Sequence, residues 1–253
     1  MTTYNSPDLP TPERLFDAVD GTWPAAAKVA AGPWMLREGR GGGKRVSAAT
    51  VRAEWHPDDL SAAETAMRFM GQQPLFMIQN DQEPLDSALA ERGYDTVDST
   101  NIRLAPVSTL TDLALPPVTA FSVWEPLAVM LEIWDEGGID APRLRVMDRC
   151  KGPKTGLFGR VSDRPAGSGF CAIHDGIALV HALEIREEHR GKGLGVWMMR
   201  CAAIWAERQG AQWIGALVTV ANEPANGLYA ALNLETVGRY HYRTLKDAEN
   251  EDI

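Results

Sequence analysis

Apolar and polar positions follow two alternating periods along the second half of the chain. Residues 177–185 (IALVHALEI) make a nearly unbroken apolar run of strand length. Residues 196–209 instead carry apolar side chains at helical spacing, up to Gly210. The same reading predicts strands at 118–123, 155–162, 167–173, 213–220 and 235–244, with a turn at 163–166 between the second and third. Helices are expected at 125–135, at 142–150 beyond a Gly137-Gly138 break, and after Asn222. Strands interleaved with helices imply an α/β fold.

The first half shows a similar order: a helix, a strand at 74–79, a helix at 83–92 and a strand from Tyr94. A shift of 140 positions lays Gln82-Glu83-Pro84 on Asn222-Glu223-Pro224, and Thr96-Val97 on Thr236-Val237. Ala62, Ala63, Ala66, Arg68, Gln72 and Ala90 then meet identical residue types at 202, 203, 206, 208, 212 and 230. A repeat of this length implies a repeated fold unit. Gly39 and Gly41-Gly42-Gly43 join Trp34-Met35-Leu36 to Val46 and read as a hairpin tip. Ala114-Leu115-Pro116-Pro117 is a natural boundary, because neighbouring prolines disfavour helix and sheet.

Composition narrows the class. An apolar content of 45% with 23% charged residues suits a soluble globular protein. Residues 1–10 lack a basic stretch followed by an apolar core, and no apolar run approaches the ~18 residues of a membrane span. Neither a secretory signal nor membrane association is expected. Cys150, Cys171 and Cys201 lack metal-site spacing; free thiols, no metal and a cytoplasmic location are expected. A net charge of −9 excludes nonspecific nucleic-acid binding. It either favours a cationic partner or serves solubility. Part of it lies in the acidic tail 247–252, expected to be solvated and disordered.

The most informative stretch is Arg190-Gly191-Lys192-Gly193-Leu194-Gly195, between the expected strand 177–185 and the expected helix. A strand, a glycine-rich turn and a helix N-terminus make an anion site. Glycines let backbone N–H groups approach a phosphate, and the first helical N–H groups have no internal partner. A P-loop is excluded, because its Lys follows the last glycine and precedes Ser or Thr. A dinucleotide fingerprint is excluded by the Gly-x-Gly-x-Gly spacing. Downstream, Asn222-Glu223-Pro224-Ala225-Asn226-Gly227-Leu228-Tyr229 continues into Ala230-Ala231-Leu232-Asn233-Leu234. In that order, the loop and this segment resemble the GNAT superfamily of acyl-CoA-dependent N-acyltransferases, over residues 118–246. Asn233 stands where the family has Gly, and Leu234 where it has an aromatic residue; Asn also tolerates the left-handed conformation that ends a helix.

The resemblance implies a mixed central sheet flanked by helices and attack of a primary amine on the thioester of acetyl-CoA. It assigns Arg190, Gly191, Lys192, Gly193, Leu194 and Gly195 to the pyrophosphate. Backbone groups of Leu183 and Ile185 go to the pantetheine arm, and Asn222 to the cofactor or, equally, to an N-cap. It makes Tyr229 the general acid to the departing thiolate, a role that suits a phenol of pKa near ~10. The general base is open between Glu184, His181 and a water chain. Three positions apart on a regular strand, the two side chains face opposite sides unless a bulge intervenes. The acceptor is expected against Trp134, Asp135, Glu136 and Asp140, with Tyr240 and Tyr242; His189 and His241 are expected at the surface. Residues 1–113 resemble a degenerate GNAT-like unit, as in tandem GNAT proteins, with Leu89 opposite Tyr229 and Gln82 opposite Asn222. A non-catalytic acyl-CoA-binding or regulatory module stays open as an alternative, as does a longer acyl chain or an oxygen acceptor. A homodimer is compatible with the sequence, which does not decide it.

Overall fold

A computed structural model of the chain describes residues 8–245. The acidic tail 247–252 lies outside the described residues. Two compact units emerge. The first comprises the chain up to Pro24, Ile102–Val218 and Asn222–Val237; the second comprises Ala25–Asn101, Thr219–Ala221 and the chain from Gly238. Compactness therefore divides the chain differently from the stretches 1–113 and 118–246.

The first unit opens with helix α1 (Pro12–Thr22), which the apolar pattern did not reveal. Its start is nonetheless marked: Pro12 opens the helix and Thr11 Oγ1 accepts from the Arg14 N–H. Strand β6 (Ala120–Val123), helices α4 (Ala128–Glu136) and α5 (Ala141–Arg149), and strands β7 (Lys154–Val161), β8 (Arg164–His174) and β9 (Ile177–Ile185) follow. Then come α6 (Leu194–Arg208), β10 (Trp213–Thr219), α7 (Glu223–Ala231) and the first residues of β11 (Glu235–Thr244). The turn expected at 163–166 is tighter. Ser162 and Asp163 alone turn the chain, with φ of 49° and 61°, the geometry that matches hairpin twist.

In this unit the strand order runs β5-β10-β9-β8-β7-β6, where β5 (Asp95–Pro106) enters from Ile102 onward. β6, β7, β8 and β9 are antiparallel neighbours, whereas β9 and β10 are parallel, so the sheet is mixed. Helix α6 buries Leu194, Met198, Met199, Ala202, Ala203 and Ala206 on one face. That face joins Ile214, Ala216, Val180 and Leu157 in the core. Gly159 and Gly167 allow the approach: a Cβ at either would lie 2.7 Å from the Met198 sulfur. Helix α7 ends at Asn233, whose φ of 57° is left-handed, and the Leu234 N–H reaches the Tyr229 carbonyl at 2.9 Å. Asn in place of Gly therefore keeps the helix stop, and Leu234 is buried.

The second unit holds β1 (Ala27–Ala31), β2 (Trp34–Glu38), β3 (Thr50–Val51), α2 (Pro57–Phe69), β4 (Leu75–Gln79), α3 (Glu83–Glu91) and the start of β5 (Asp95–Pro106). β1, β2 and β3 form an antiparallel sheet, and β4 pairs with the end of β11, Tyr240 opposite Gln79. The glycines at 39–43 do not close a hairpin onto Val46. Val46 ends a short 3-10 turn, and β2 pairs instead with Thr50 and Val51. Trp34, Phe76 and Tyr94 anchor this core with edge-on ring contacts. The strand beside β10 is β5, from the N-terminal half, and the strand beside β4 is β11, from the C-terminal half.

Candidate active site

The site begins where β9 and β10 part. Their parallel ladder runs from Ile177 opposite Trp213 to Val180 opposite Ala216 and stops there, although β9 continues to Ile185 and β10 to Thr219. Just beyond, the pairing of β9 with β8 shifts register. His181 lies opposite Phe170 and Glu184 opposite Ser168, so three steps on β9 answer two on β8. The extra residue is a β-bulge, and Ala182 within it has a φ of 50°. His181 and Glu184 consequently share one face of the sheet, because Phe170 and Ser168 do. This corrects the expectation of opposite faces.

The two side chains do different things. His181 is 5% exposed and packs its ring against Trp23 and Phe170. Its Nε2 sits 2.9 Å from Thr22 Oγ1, and that hydroxyl donates to the Ala18 carbonyl at 2.7 Å. With its proton so placed, Thr22 accepts, and the imidazole carries its hydrogen on Nε2. Glu184 lies at the open end of β9. Its Oε1 accepts from the Ile185 N–H at 3.2 Å and from Arg190 Nη2 at 2.9 Å. Arg190 Nε in turn donates to the Ile185 carbonyl at 2.8 Å. Both backbone groups that Ile185 turns away from β8 are thus held by side chains.

The glycine loop follows. Gly191 and Gly193 have φ of 71° and 80°, and a Cβ at either would meet nothing within 4 Å. These glycines are required by backbone conformation, not by space. Gly193 precedes α6, and no side chain caps that helix, so its first N–H groups face outward. Gly195 serves close approach instead, since a Cβ there would lie 3.0 Å from Leu228 of α7. Asn222 is the N-cap of α7, its Oδ1 accepting from the Ala225 N–H at 3.1 Å.

A cleft of about 560 Å³ gathers these parts. Leu183, Glu184, Ile185, Arg190, Gly191, Gly193, Leu194, Gly195, Asn222 and Tyr229 all line it. His181 and Lys192 do not; Lys192 Nζ donates to the Glu188 carbonyl at 2.7 Å. Tyr229 is 5% exposed, and burial pushes its phenol up to about 12. His189 also lines the cleft, with a buried Nδ1 that has no hydrogen-bond partner among the described residues. It was expected at the surface. Its position directly before Arg190 is the signal that could have found it.

An open strand edge, an uncapped helix N-terminus after two left-handed glycines, and a buried tyrosine around one cleft invite comparison with known proteins. Residues 124–233 match the Acetyltransferase (GNAT) family. A protein of Bacillus subtilis (strain 168) named "Uncharacterized N-acetyltransferase YobR" is 27% identical over 247 residues, 93% of this chain and 98% of that one. Among solved structures, a GCN5-related N-acetyltransferase from Kribbella flavida has a TM-score of 0.69 at 18% identity, covering 92% of this chain and 95% of its own. A tandem GNAT protein from the clavulanic acid biosynthesis pathway has a TM-score of 0.58 at 16% identity, covering 89% and 86%. These similarities establish the mixed α/β GNAT fold.

None of the residues expected at the acceptor lines this cleft. Trp134 is fully buried, its indole Nε1 donating to the Ala182 carbonyl at 2.8 Å. Glu136 takes both of its oxygens to Arg186 at 2.7 Å, which holds its carboxyl below the usual range. Asp140 caps α5. Tyr240 and Tyr242 belong to the second unit, where they pack edge-on against each other. His241 there pairs with Asp86 at 2.7 Å.

Proposed function

We propose that this chain transfers an acetyl group from acetyl-CoA to a primary amine. The observation that carries the reading is the convergence of the end of β9 that parts from β10, the uncapped start of α6 and the buried Tyr229 on one cleft. The N–H groups after Gly193 would hold the pyrophosphate, since they sit at the positive end of the helix. Leu183 and Ile185 would pair with the pantetheine arm once Arg190 and Glu184 release the Ile185 backbone. Arg190, so freed, reaches the phosphates.

The amine nitrogen then bonds to the thioester carbonyl carbon and the C–S bond breaks. The sulfur takes a proton from the Tyr229 hydroxyl, and the nitrogen gives one to water or to Glu184. Glu184 is favoured over His181 because it lines the cleft, whereas His181 is locked against Thr22. Residues 1–113 we read as a degenerate copy of this unit. The supporting observation is that α3 and β5 begin at Glu83 and Asp95, 140 positions before α7 and β11 at Glu223 and Glu235.

One observation favours a second reading, an acyl-CoA-binding module without turnover: both candidate bases are engaged in hydrogen bonds. Calorimetry with acetyl-CoA, wild type against Gly193→Asp, tests the site. Micromolar binding lost in the variant supports it, and retained binding removes the loop from it. Thiol release across a panel of primary amines then separates enzyme from module.

A further inference from the structure

The second unit has a cleft of its own, about 620 Å³, at the C-terminal end of β4 and the first turn of α3. Its inner wall includes Asn101, 8% exposed, whose Oδ1 is buried and has no hydrogen-bond partner among the described residues. A buried carbonyl oxygen without a donor gives up its hydrogen bond on leaving water, so the position asks for one. The rim supplies charge. Asp81 and Glu83 line the cleft, are exposed, and have no ion-pair partner among the described residues. Asp86 also lines it but is compensated by His241 at 2.7 Å and Arg243 at 2.6 Å. The one opposing charge without an ion pair on this lining is Arg239, leaving two carboxylates against one guanidinium.

We propose that this cleft binds an organic ammonium group, a primary amine whose N–H donors satisfy Asn101 Oδ1 while Asp81 and Glu83 neutralise its charge. A neutral hydrogen-bonding ligand would leave the carboxylates unused, and an anion would face both of them. An ammonium answers the carbonyl and the charge at once. The site does not rest on acetyl transfer and stands whether or not the other cleft turns over.

Calorimetry of the full chain at low ionic strength tests it, with 1,4-diaminobutane as probe and 1,4-butanediol as its uncharged counterpart. The diamine should bind at least tenfold more tightly than the diol. Asp81→Asn with Glu83→Gln should weaken the diamine about 10- to 100-fold, the range for losing a charged hydrogen bond, without moving the melting temperature. Asn101→Leu should weaken it comparably; if that variant fails to fold, the exposed double variant decides. Equal affinity for diamine and diol, no binding of the diamine, or a double variant that binds like wild type would each overturn the proposal.

Discussion

Replacing Tyr229 by Phe isolates one hydroxyl. The ring stays, so the packing of a side chain only 5% exposed is preserved and stability should hardly change. Under the proposed mechanism, what is lost is the proton for the departing thiolate. Burial has pushed the phenol up to about 12, and no nearby charge contributes to that shift. In water, a donor of pKa ~12 would protonate a thiolate of pKa ~8.5 uphill by about 5 kcal/mol. The leaving sulfur, however, departs in the same dry cleft, where desolvation raises its own pKa in the same direction and narrows the gap. Loss of general-acid help is worth on the order of 100-fold or more in rate, about 3 kcal/mol. Thiol release at saturating acetyl-CoA should therefore fall by that factor, with acetyl-CoA affinity within about twofold of wild type. The phenol stays protonated throughout the working range, so the wild-type rate should show no alkaline fall from Tyr229 up to pH ~10. Ionising the buried phenol costs more in the fold than in the unfolded chain, so Tyr229 leaves stability flat below pH ~10 and lowers it as pH rises towards about 12. Unchanged thiol release in Tyr229→Phe would refute the acid role.

Three further outcomes follow from single contacts. Gly193→Ala meets nothing within 4 Å but must hold a φ of 80°, so acetyl-CoA affinity should fall about 5- to 30-fold by calorimetry, the equivalent of 1–2 kcal/mol of left-handed strain. Gly215→Ala would place a Cβ 2.2 Å from the Arg103 carbonyl oxygen, which cannot move without shifting β5; denaturant titration should show a loss of about 1–3 kcal/mol or more. Asp86 has its carboxyl held below 3.8, chiefly by Arg243 and then by His241. Its contribution is present above that value and disappears as pH falls through the lowered one, so Asp86→Asn should flatten the acid limb of a melting-temperature profile below pH ~4.

Much of the fold was legible because apolar runs in this chain match its elements. β9 and β11 occupy the residues that periodicity assigns, and α7 stops at Asn233 as a left-handed position requires. The failures share a cause: partners distant in sequence decided them. Helix α1 buries Leu15, Ala18, Val19 and Thr22 at helical spacing, but only the contacts of Thr22 and the following Trp23 with His181 reveal its role. Val46 reads as a strand residue until β2 is seen to pair with Thr50 and Val51. The glycine loop was visible because its chemistry is local: a left-handed turn and a helix start need no distant residue. Acidic residues at helix ends are less legible, because they find local uses first. Asp140 caps α5 and Glu136 grips Arg186.

The bulge at Ala182 is the feature no period could show, and it organises the site. A non-glycine residue at a φ of 50° is strained by about 1–2 kcal/mol and persists only if its surroundings hold it. One such hold is the bond from the buried Trp134 indole to the Ala182 carbonyl. Pairing with β10 has ended two residues earlier, so from Ala182 to Ile185 strand β9 keeps only β8 as a neighbour. Trp134→Phe removes that donor together with part of a fully buried ring. It should destabilise the chain by about 2–5 kcal/mol, an unmet buried carbonyl plus the cavity left behind. If the bulge then relaxes towards regular pairing, Glu184 rotates off the cleft and acetyl-CoA affinity falls as well. Trp134→Phe with wild-type acetyl-CoA affinity would mean that the bulge holds itself without that bond, and that Trp134 merely fills the core.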